Sequence, residues 1–247
     1  MIHNSTKLLR GTVLGAGLLA MGLRGLLYAT AIDQKGLLTE NHWTTWSILI
    51  LTGLVLALLL LTTRKIQRSD AADSTPASYI QGAGSLLLAG TILQQTLSLY
   101  AVAADRLNLV TVISGFAAAL ALLVVGICRM AAKKPSFLCH SALSIYFAFH
   151  MVSFYRLWSA NPQLMDYCFY LLAFLCLMLT AYFLAGFEGG MAHRRGLVFF
   201  SMAATFFCCL ALPESGDGPT LIACGFWAFT CAPKMTPKNE EREHDHS

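Results

Sequence analysis

The chain has 247 residues, of which 56% are hydrophobic and only 12% are charged, and its formal net charge is +4. Soluble domains average about 25% charged residues, so this composition excludes an ordinary soluble protein. The mean hydropathy of +0.61 points to an integral membrane protein.

A helix that crosses the ~30 Å hydrocarbon core of a bilayer needs about 20 predominantly apolar residues. We therefore predict an all-α, polytopic transmembrane bundle of about eight helices. The candidate spans are 9–31, 43–63, 79–103, 108–130, 137–159, 165–187, 196–213 and 218–233. The last two spans are short, and a segment with Pro213 and Pro219 separates them. A re-entrant hairpin, which dips into the membrane and returns, is therefore an alternative for this pair.

The basic residues predict the orientation of the chain. If eight segments cross, thirteen of the seventeen lysines and arginines fall on one side, and only Lys35 and Arg106 lie in loops on the other. Loops on the cytoplasmic side are enriched in lysine and arginine. We therefore expect a multi-pass protein of the plasma membrane with both termini in the cytoplasm. The thirteen residues are Lys7, Arg10, Arg64, Lys65, Arg68, Arg129, Lys133, Lys134, Arg194, Arg195, Lys234, Lys238 and Arg242.

The first span has a competing interpretation as a cleaved signal peptide. The start of the chain is basic, an apolar run follows, and Ala29-Thr30-Ala31 resembles a signal-peptidase site. Cleavage after Ala31 would leave seven helices. Arg24 argues against cleavage, because it interrupts the region just before the supposed site, and apolar residues resume after it.

The domain organisation is simple. Residues 1–232 form a single integral membrane domain, and residues 233–247 form a Lys/Glu/His-rich tail that we expect to be disordered and cytoplasmic. The loop around Lys133 divides the helices four and four, which raises a weak internal repeat of 1–134 and 135–232. Arg24 and Arg156 occupy similar places in the two halves, and little else aligns.

Charged residues inside membrane helices are costly and usually face protein or water. Arg24 lies about 20 Å along the first span from Gly11 at 1.5 Å per residue, and it shares a face with Tyr28. Anion binding and a purely structural role are both open for this arginine. A second face gathers small residues, and we expect it to pack closely against another helix. Its members are Gly11, Gly15, Gly22 and Gly25.

The fifth span is the most polar. Tyr146, His150 and Ser153 follow helical spacing and form one stripe, with Arg156 to its side. A histidine near mid-membrane can relay protons or hydrogen-bond a solute, and it can equally hold two helices together. His140 lies on another face and is not included among the candidates.

The third span carries adjacent glutamines: Gln95 lies in a stripe with Gly84, Thr91 and Ser98, and Gln94 flanks this stripe. Each glutamine amide brings two donors and an acceptor that need partners in a membrane. The two glutamines either join this helix to a neighbour or line a wet cavity. Glu188, at the end of the sixth span, is expected to form an ordinary interfacial ion pair with the nearby basic residues at 193–195.

Several kinds of site are not indicated by the sequence. The eight cysteines form no C-x-x-C pair, and we interpret them as inert packing residues. There is no phosphate-binding loop, no H-E-x-x-H motif and no G-x-S-x-G motif. We therefore expect no metal, no cofactor, no nucleotide site and no nucleic-acid partner.

Three functional classes remain. The preferred class is binding or transport of a small solute, by a permease-like protein or by one membrane subunit of a permease. The second class is a membrane sensor or an accessory or scaffold protein. The third class is an intramembrane enzyme acting on lipid, which is the weakest because no nucleophile–base pair is evident. The bilayer is the expected partner in every case. The candidate ligand-binding residues are Arg24, Tyr28, Gln94, Gln95, Tyr146, His150 and Arg156.

Overall fold

The computed structural model describes residues 2–30, 42–64, 79–102, 106–158, 164–191, 193–213 and 217–232. Within these ranges the chain is helical, with no strand, as the composition predicts. The eight helices are α1 (Ile2–Thr30), α2 (Trp43–Arg64), α3 (Tyr79–Val102), α4 (Arg106–Met130), α5 (Phe137–Trp158), α6 (Leu164–Glu188), α7 (Arg194–Ala211) and α8 (Gly218–Cys231).

The helices confirm the predicted bundle and follow the predicted spans closely. The largest difference is in α1, which begins at Ile2 instead of residue 9. The short polar segment at its start continues the helix because nothing in it breaks the backbone pattern. The tail at 233–247 and the proposed cleavage site after Ala31 lie outside the described residues.

Six of the described helices are long and apolar enough to cross a membrane: α1, α2, α4, α5, α6 and α7. The fourteen-residue α8 is apolar but shorter, about 21 Å at 1.5 Å per residue. The 24 residues of α3 are long enough to cross, but Gln81, Gln94 and Gln95 lower its hydropathy. In a membrane these glutamines need polar neighbours.

The bundle is built from antiparallel neighbours, with α7 and α8 inside. From α3 to α8, each helix packs against the next in the chain, while α1 and α2 pack against each other and against α7. Most of α7 is buried, and α8 packs against α3, α6 and α7. Gly225 of α8 permits the close approach to α7, because a Cβ there would lie 3.1 Å from Cys208 Cβ.

The outermost helix is α2, which is apolar on every face. Its buried residues recur at helical spacing, as in Ile48, Val55 and Leu59, while Ile50 and Leu54 are more than half exposed. A helix that exposes large aliphatic side chains in this way is stable in lipid, where their exposure carries no hydrophobic penalty.

The bundle has two chemically different ends. At one end Arg10 of α1 donates a hydrogen bond to the carbonyl oxygen of Ala232 after α8, and Gln81 at the start of α3 lies 3.6 Å from Cys231 Sγ. Arg129, at the end of α4, lies at this same end, beside Gly82 of α3. We call it the basic end, and the opposite end is called the cleft end.

The predicted glycine face of α1 is wrong as a packing face within this chain. Gly11, Gly15, Gly22 and Gly25 are exposed, and a Cβ at any of them would meet no described atom within 4 Å. The glycine of α1 that packs is Gly17, where a Cβ would lie 3.1 Å from Cys209 Cβ of α7. The apolar residues of α1, and not its small ones, decide which face turns inward.

Candidate solute site

A polar cavity of about 410 Å³ opens among α3, α4, α5 and the start of α8. Ligand sites for small molecules commonly have volumes of about 300–1,000 Å³. Most of its lining side chains carry a hydrogen-bonding group, in a bundle whose other faces are largely aliphatic. The lining residues are Gln94, Gln95, Thr96, Ser98, Leu99, Thr111, Tyr146, His150, Asp217, Pro219 and Thr220.

The polar stripes of α3 and α5 meet in this cavity. The Tyr146 hydroxyl donates to Gln95 Oε1 at 3.3 Å, and the Tyr146 side chain is only 2% exposed. Gly115 of α4 leaves room for this contact, since a Cβ there would lie 3.2 Å from the Tyr146 ring. Four of the residues singled out from the sequence therefore line one space: Gln94, Gln95, Tyr146 and His150.

A second cavity of about 380 Å³ adjoins the first. His150 and Leu99 line both, so the two cavities meet at these side chains. We call the pair the cleft. Its second part brings in Arg156 and Ser153, which the sequence indicated, and Asn108 of α4, which it did not.

His150 is held in place by aromatic neighbours from α6. Its Nε2 lies 3.1 Å from the Tyr170 hydroxyl, and its ring centroid lies 4.5 Å from that of Phe174. The ring is also 5.7 Å from Tyr146, one turn earlier on α5. Such packing restricts the rotamer of His150. The His150 ring is therefore a fixed partition between the two parts of the cleft.

Two of the side-chain amides in the cleft have an oxygen that accepts a hydrogen bond from a neighbouring side chain. Gln95 Oε1 accepts from Tyr146, and Asn108 Oδ1 accepts from Ser153 at 3.2 Å. An amide oxygen satisfied in this way leaves the NH₂ group, with its two donors, as the part available to a solute. The cleft also offers acceptors, because Thr96, Ser98 and Thr111 donate to carbonyl oxygens of their own helices and keep their hydroxyl oxygens available.

Among the described residues, the lining of each part of the cleft includes one formally charged side chain. Asp217 lines the first part, and Arg156 lines the second. Asp217 is the residue before α8, but its carboxylate makes no hydrogen bond to the first turn of that helix. Both side chains are exposed, so neither pays the full cost of a buried charge.

Arg24 and Tyr28 line neither part of the cleft. Arg24 is 2% exposed, and its guanidinium lies 4.8 Å from the centroid of the Phe169 ring at the start of α6. Its Nη2 is 3.5 Å from the Tyr28 hydroxyl, so the face predicted to be shared does bring them together. The guanidinium stacks on an aromatic face, an arrangement that stabilises a buried cation.

A second polar cluster lies at the basic end and includes Glu188. This carboxylate is buried and pairs with Arg129 Nη2 at 2.7 Å and with His140 Nδ1 at 2.7 Å. These two ion pairs join α6 to α4 and α5, and the pair with residues 193–195 expected from the sequence stays a prediction. We call Arg129, His140 and Glu188 the buried triad, and it joins the ends of three helices.

Sequence reasoning missed Asn108, Thr111, Asp217 and Thr220 in the cleft, and His140 in the buried triad. Each is a single polar residue close to the end of a helix, where exposure to headgroups or water is ordinary. Their roles follow from which helices are neighbours, and spacing along one helix does not carry that information. Among the described residues, no three His, Cys, Asp or Glu side chains come together to hold a metal ion.

Cysteine labelling tests whether the cleft is wet. On a background with the native cysteines replaced, Gln95→Cys and His150→Cys should react with a membrane-impermeant maleimide, because both positions line the cleft. Leu88→Cys is the matched control, since Leu88 also lies on α3 and is fully buried. Protection of both cleft positions to the level of the control would contradict a water-accessible cleft.

Removing the acid of the buried triad should destabilise the protein. Glu188→Gln leaves two basic side chains beside a neutral amide, and breaking a buried ion pair on one side typically costs about 3–5 kcal/mol. The measurement is thermal unfolding of the purified protein in detergent. The triple variant with Arg129→Met, His140→Leu and Glu188→Met is the control and should recover much of the loss, because no buried charge remains. An unchanged unfolding temperature for Glu188→Gln would contradict this account.

The geometry comprises a two-part polar cleft near one end of a helical bundle and a buried ionic triad at the other. A fold can host many functions, so the function of this protein depends on the side chains of these two regions. In comparisons with known proteins, no family model, curated protein or solved structure matches this chain.

Proposed function

We propose that the protein binds a small polar solute in the cleft, as a permease-like protein or as a membrane subunit of a permease. The observation that supports this most strongly is the convergence of Gln94, Gln95, Tyr146 and His150 on one cavity. These residues belong to two helices, and no single helix needs them for its own hydrogen bonds.

The energetic argument starts from the cost of polar groups in a membrane. A side-chain amide in hydrocarbon must find partners inside the protein or in water. The hydrogen bond from Tyr146 reaches the amide oxygen of Gln95, and the two N–H donors of that amide still need partners. A cavity with water or a solute in it supplies the remaining partners, so the glutamines are tolerated at this depth because the cleft is there.

The basic residues support an orientation for the cleft. With the thirteen clustered lysines and arginines in the cytoplasm, both termini lie there, and the cleft opens on the outer face of the plasma membrane. A solute would then enter from outside.

Transport and sensing differ in whether the solute leaves on the other side. The described part of the basic end is held together by the buried triad and by the bond from Arg10 to Ala232. This one-sided arrangement fits an outward-facing state of a transporter, and it equally favours the sensor or accessory alternative. The lipid-enzyme alternative has less support, because the described partner of His150 Nε2 is a tyrosine and not a serine or cysteine.

The orientation predicts where epitope tags are accessible. A tag after Ser247 should bind antibody only in permeabilised cells, whereas a tag inserted between α3 and α4 should bind it in intact cells. The physical reason is the retention of lysine- and arginine-rich loops in the cytoplasm. Detection of the C-terminal tag on intact cells would contradict the orientation.

Solute binding is tested by thermal unfolding of the purified full chain with a panel of amino acids, sugars, amines and carboxylic acids. At least one member should raise the unfolding temperature, because a ligand that binds only the folded state stabilises it. Tyr146→Phe should weaken that member about tenfold, since it removes the hydrogen bond that orients Gln95. Tyr182→Phe is the control, because Tyr182 is exposed on α6 and lines neither part of the cleft.

The proposal fails if no panel member stabilises the protein, or if the Tyr146 and Tyr182 variants bind equally well. Uptake of the same solute into sealed proteoliposomes then separates the two preferred classes. Accumulation inside the vesicles indicates transport, and binding without uptake indicates a sensor or accessory protein.

A further inference from the structure

Tyr170 of α6 lies behind the cleft and contacts the ring that stands between its two parts. Its hydroxyl oxygen lies 3.1 Å from His150 Nε2, and its side chain is 3% exposed. A tyrosine hydroxyl has one hydrogen to donate, and leaving a buried donor without an acceptor is costly, most of all in a membrane. The hydroxyl hydrogen of Tyr170 therefore needs an acceptor inside the protein.

The surroundings of Tyr170 leave His150 as that acceptor. The Phe154 ring stacks on Tyr170 with the centroids 4.1 Å apart, and the centroid of the Phe174 ring lies at 4.7 Å. Neither hydrocarbon ring offers a lone pair, and among the described residues the hydrogen-bond partner of the Tyr170 hydroxyl is His150. If Nε2 carried a proton and donated it to the tyrosine oxygen, the hydroxyl hydrogen would have no acceptor in this setting. The hydroxyl is satisfied when it donates to Nε2.

The direction of this hydrogen bond decides the tautomer of His150. A neutral imidazole has one N–H group, and its other ring nitrogen is an acceptor. A charged ring would be costly here, because the rings of Tyr146, Tyr170 and Phe174 pack around it. If Nε2 accepts from Tyr170, the ring proton is on Nδ1. The bond to α6 then makes the other nitrogen of the ring a donor.

We propose that Tyr170 is a positioning residue, which fixes His150 as the Nδ1–H tautomer and so gives the cleft an N–H donor at its partition. This inference rests on the proposed solute-binding function and deepens it. Tyr170 acts through His150, whose ring lines both parts of the cleft. An N–H donor at this place favours a solute with an oxygen acceptor, such as a carboxylate, carbonyl or hydroxyl group, where the solute passes the partition.

The tautomer can be measured without any solute, by NMR on the full chain in detergent with ¹⁵N-labelled histidine. Long-range ¹H–¹⁵N correlations identify the two ring nitrogens, because Nε2 couples to both carbon-bound ring protons and Nδ1 mainly to one. Protonated and unprotonated ring nitrogens have well-separated ¹⁵N shifts, and His150→Gln identifies the signals of His150 by their loss. We expect an unprotonated Nε2 and a protonated Nδ1. A proton on Nε2, or on both nitrogens, would overturn the proposal.

Tyr170→Phe removes the hydroxyl and keeps the ring that packs against Phe154 and Phe174. Its His150 signals should shift toward the Nε2–H tautomer, because the donor to Nε2 is gone. Tyr182→Phe is the matched control on the same helix, where the side chain is exposed, and it should leave the His150 signals unchanged. A pure Nδ1–H tautomer in Tyr170→Phe would overturn the role of Tyr170. The wild-type spectrum tests the tautomer even if this variant does not fold.

The consequence for binding is tested by thermal unfolding with the same panel of solutes. Amino acids, sugars and carboxylic acids carry oxygen acceptors, whereas protonated alkylamines carry none. Tyr170→Phe should weaken the oxygen-bearing members that bind by about fivefold, as expected for one neutral hydrogen bond, and leave alkylamines unchanged. Equal weakening of both classes, unchanged binding of the oxygen-bearing members, or binding of alkylamines alone would overturn the donor role of His150.

The outcome is separable from that of the general function. If no panel member binds and His150 is the Nδ1–H tautomer, solute binding fails and the tautomer set by Tyr170 stands. If panel members bind and His150 carries its proton on Nε2, solute binding stands and the role of Tyr170 is wrong.

Discussion

Hydrocarbon offers no hydrogen-bond partners, so each polar group in these helices must find one within the protein or in a cavity. Hydroxyl side chains meet this requirement locally. Thr52, Thr96 and Thr180 each donate to the carbonyl oxygen four residues earlier, at 2.7–2.8 Å. Groups with more hydrogen-bonding capacity cannot be satisfied by their own helix. They need partners on other helices or in a cavity, and the two polar regions of this bundle supply them.

The two regions satisfy the requirement in different ways. The buried triad is closed to solvent: its side chains are at most 6% exposed, and its ion pairs tie the ends of α4, α5 and α6. The cleft is open, because Gln95 and Asn108 each use an amide oxygen and leave donors over. A closed ionic cluster supports structure, whereas an open set of donors beside an exposed charge supports recognition. This contrast is why the proposed function rests on the cleft.

Several residues have neighbours that the sequence did not predict, and the physical cause is the same. Glu188 was expected to pair with basic residues near it in the chain, and helix packing gives it Arg129 and His140 as partners. The glycines of α1 were assigned to a helix contact, yet apolar residues such as Val13 and Ala20 turn inward instead. Arg24 and Arg156 were compared as equivalents, and they occupy different settings, one stacked on Phe169 and the other lining the cleft. In each case the deciding neighbour lies on another helix.

The sequence by itself determined the all-helical membrane class, the extent of the helices to within a few residues, and the polar stripes of α3 and α5. These properties depend on local composition and on the period of one helix, both of which can be read along the chain. The tertiary structure alone decided that the stripes meet across Tyr146 and Gln95, that Asn108 and Asp217 join them, and that Glu188 is buried. Helix pairing decides these points, and it depends on the shapes of faces that are far apart in the sequence.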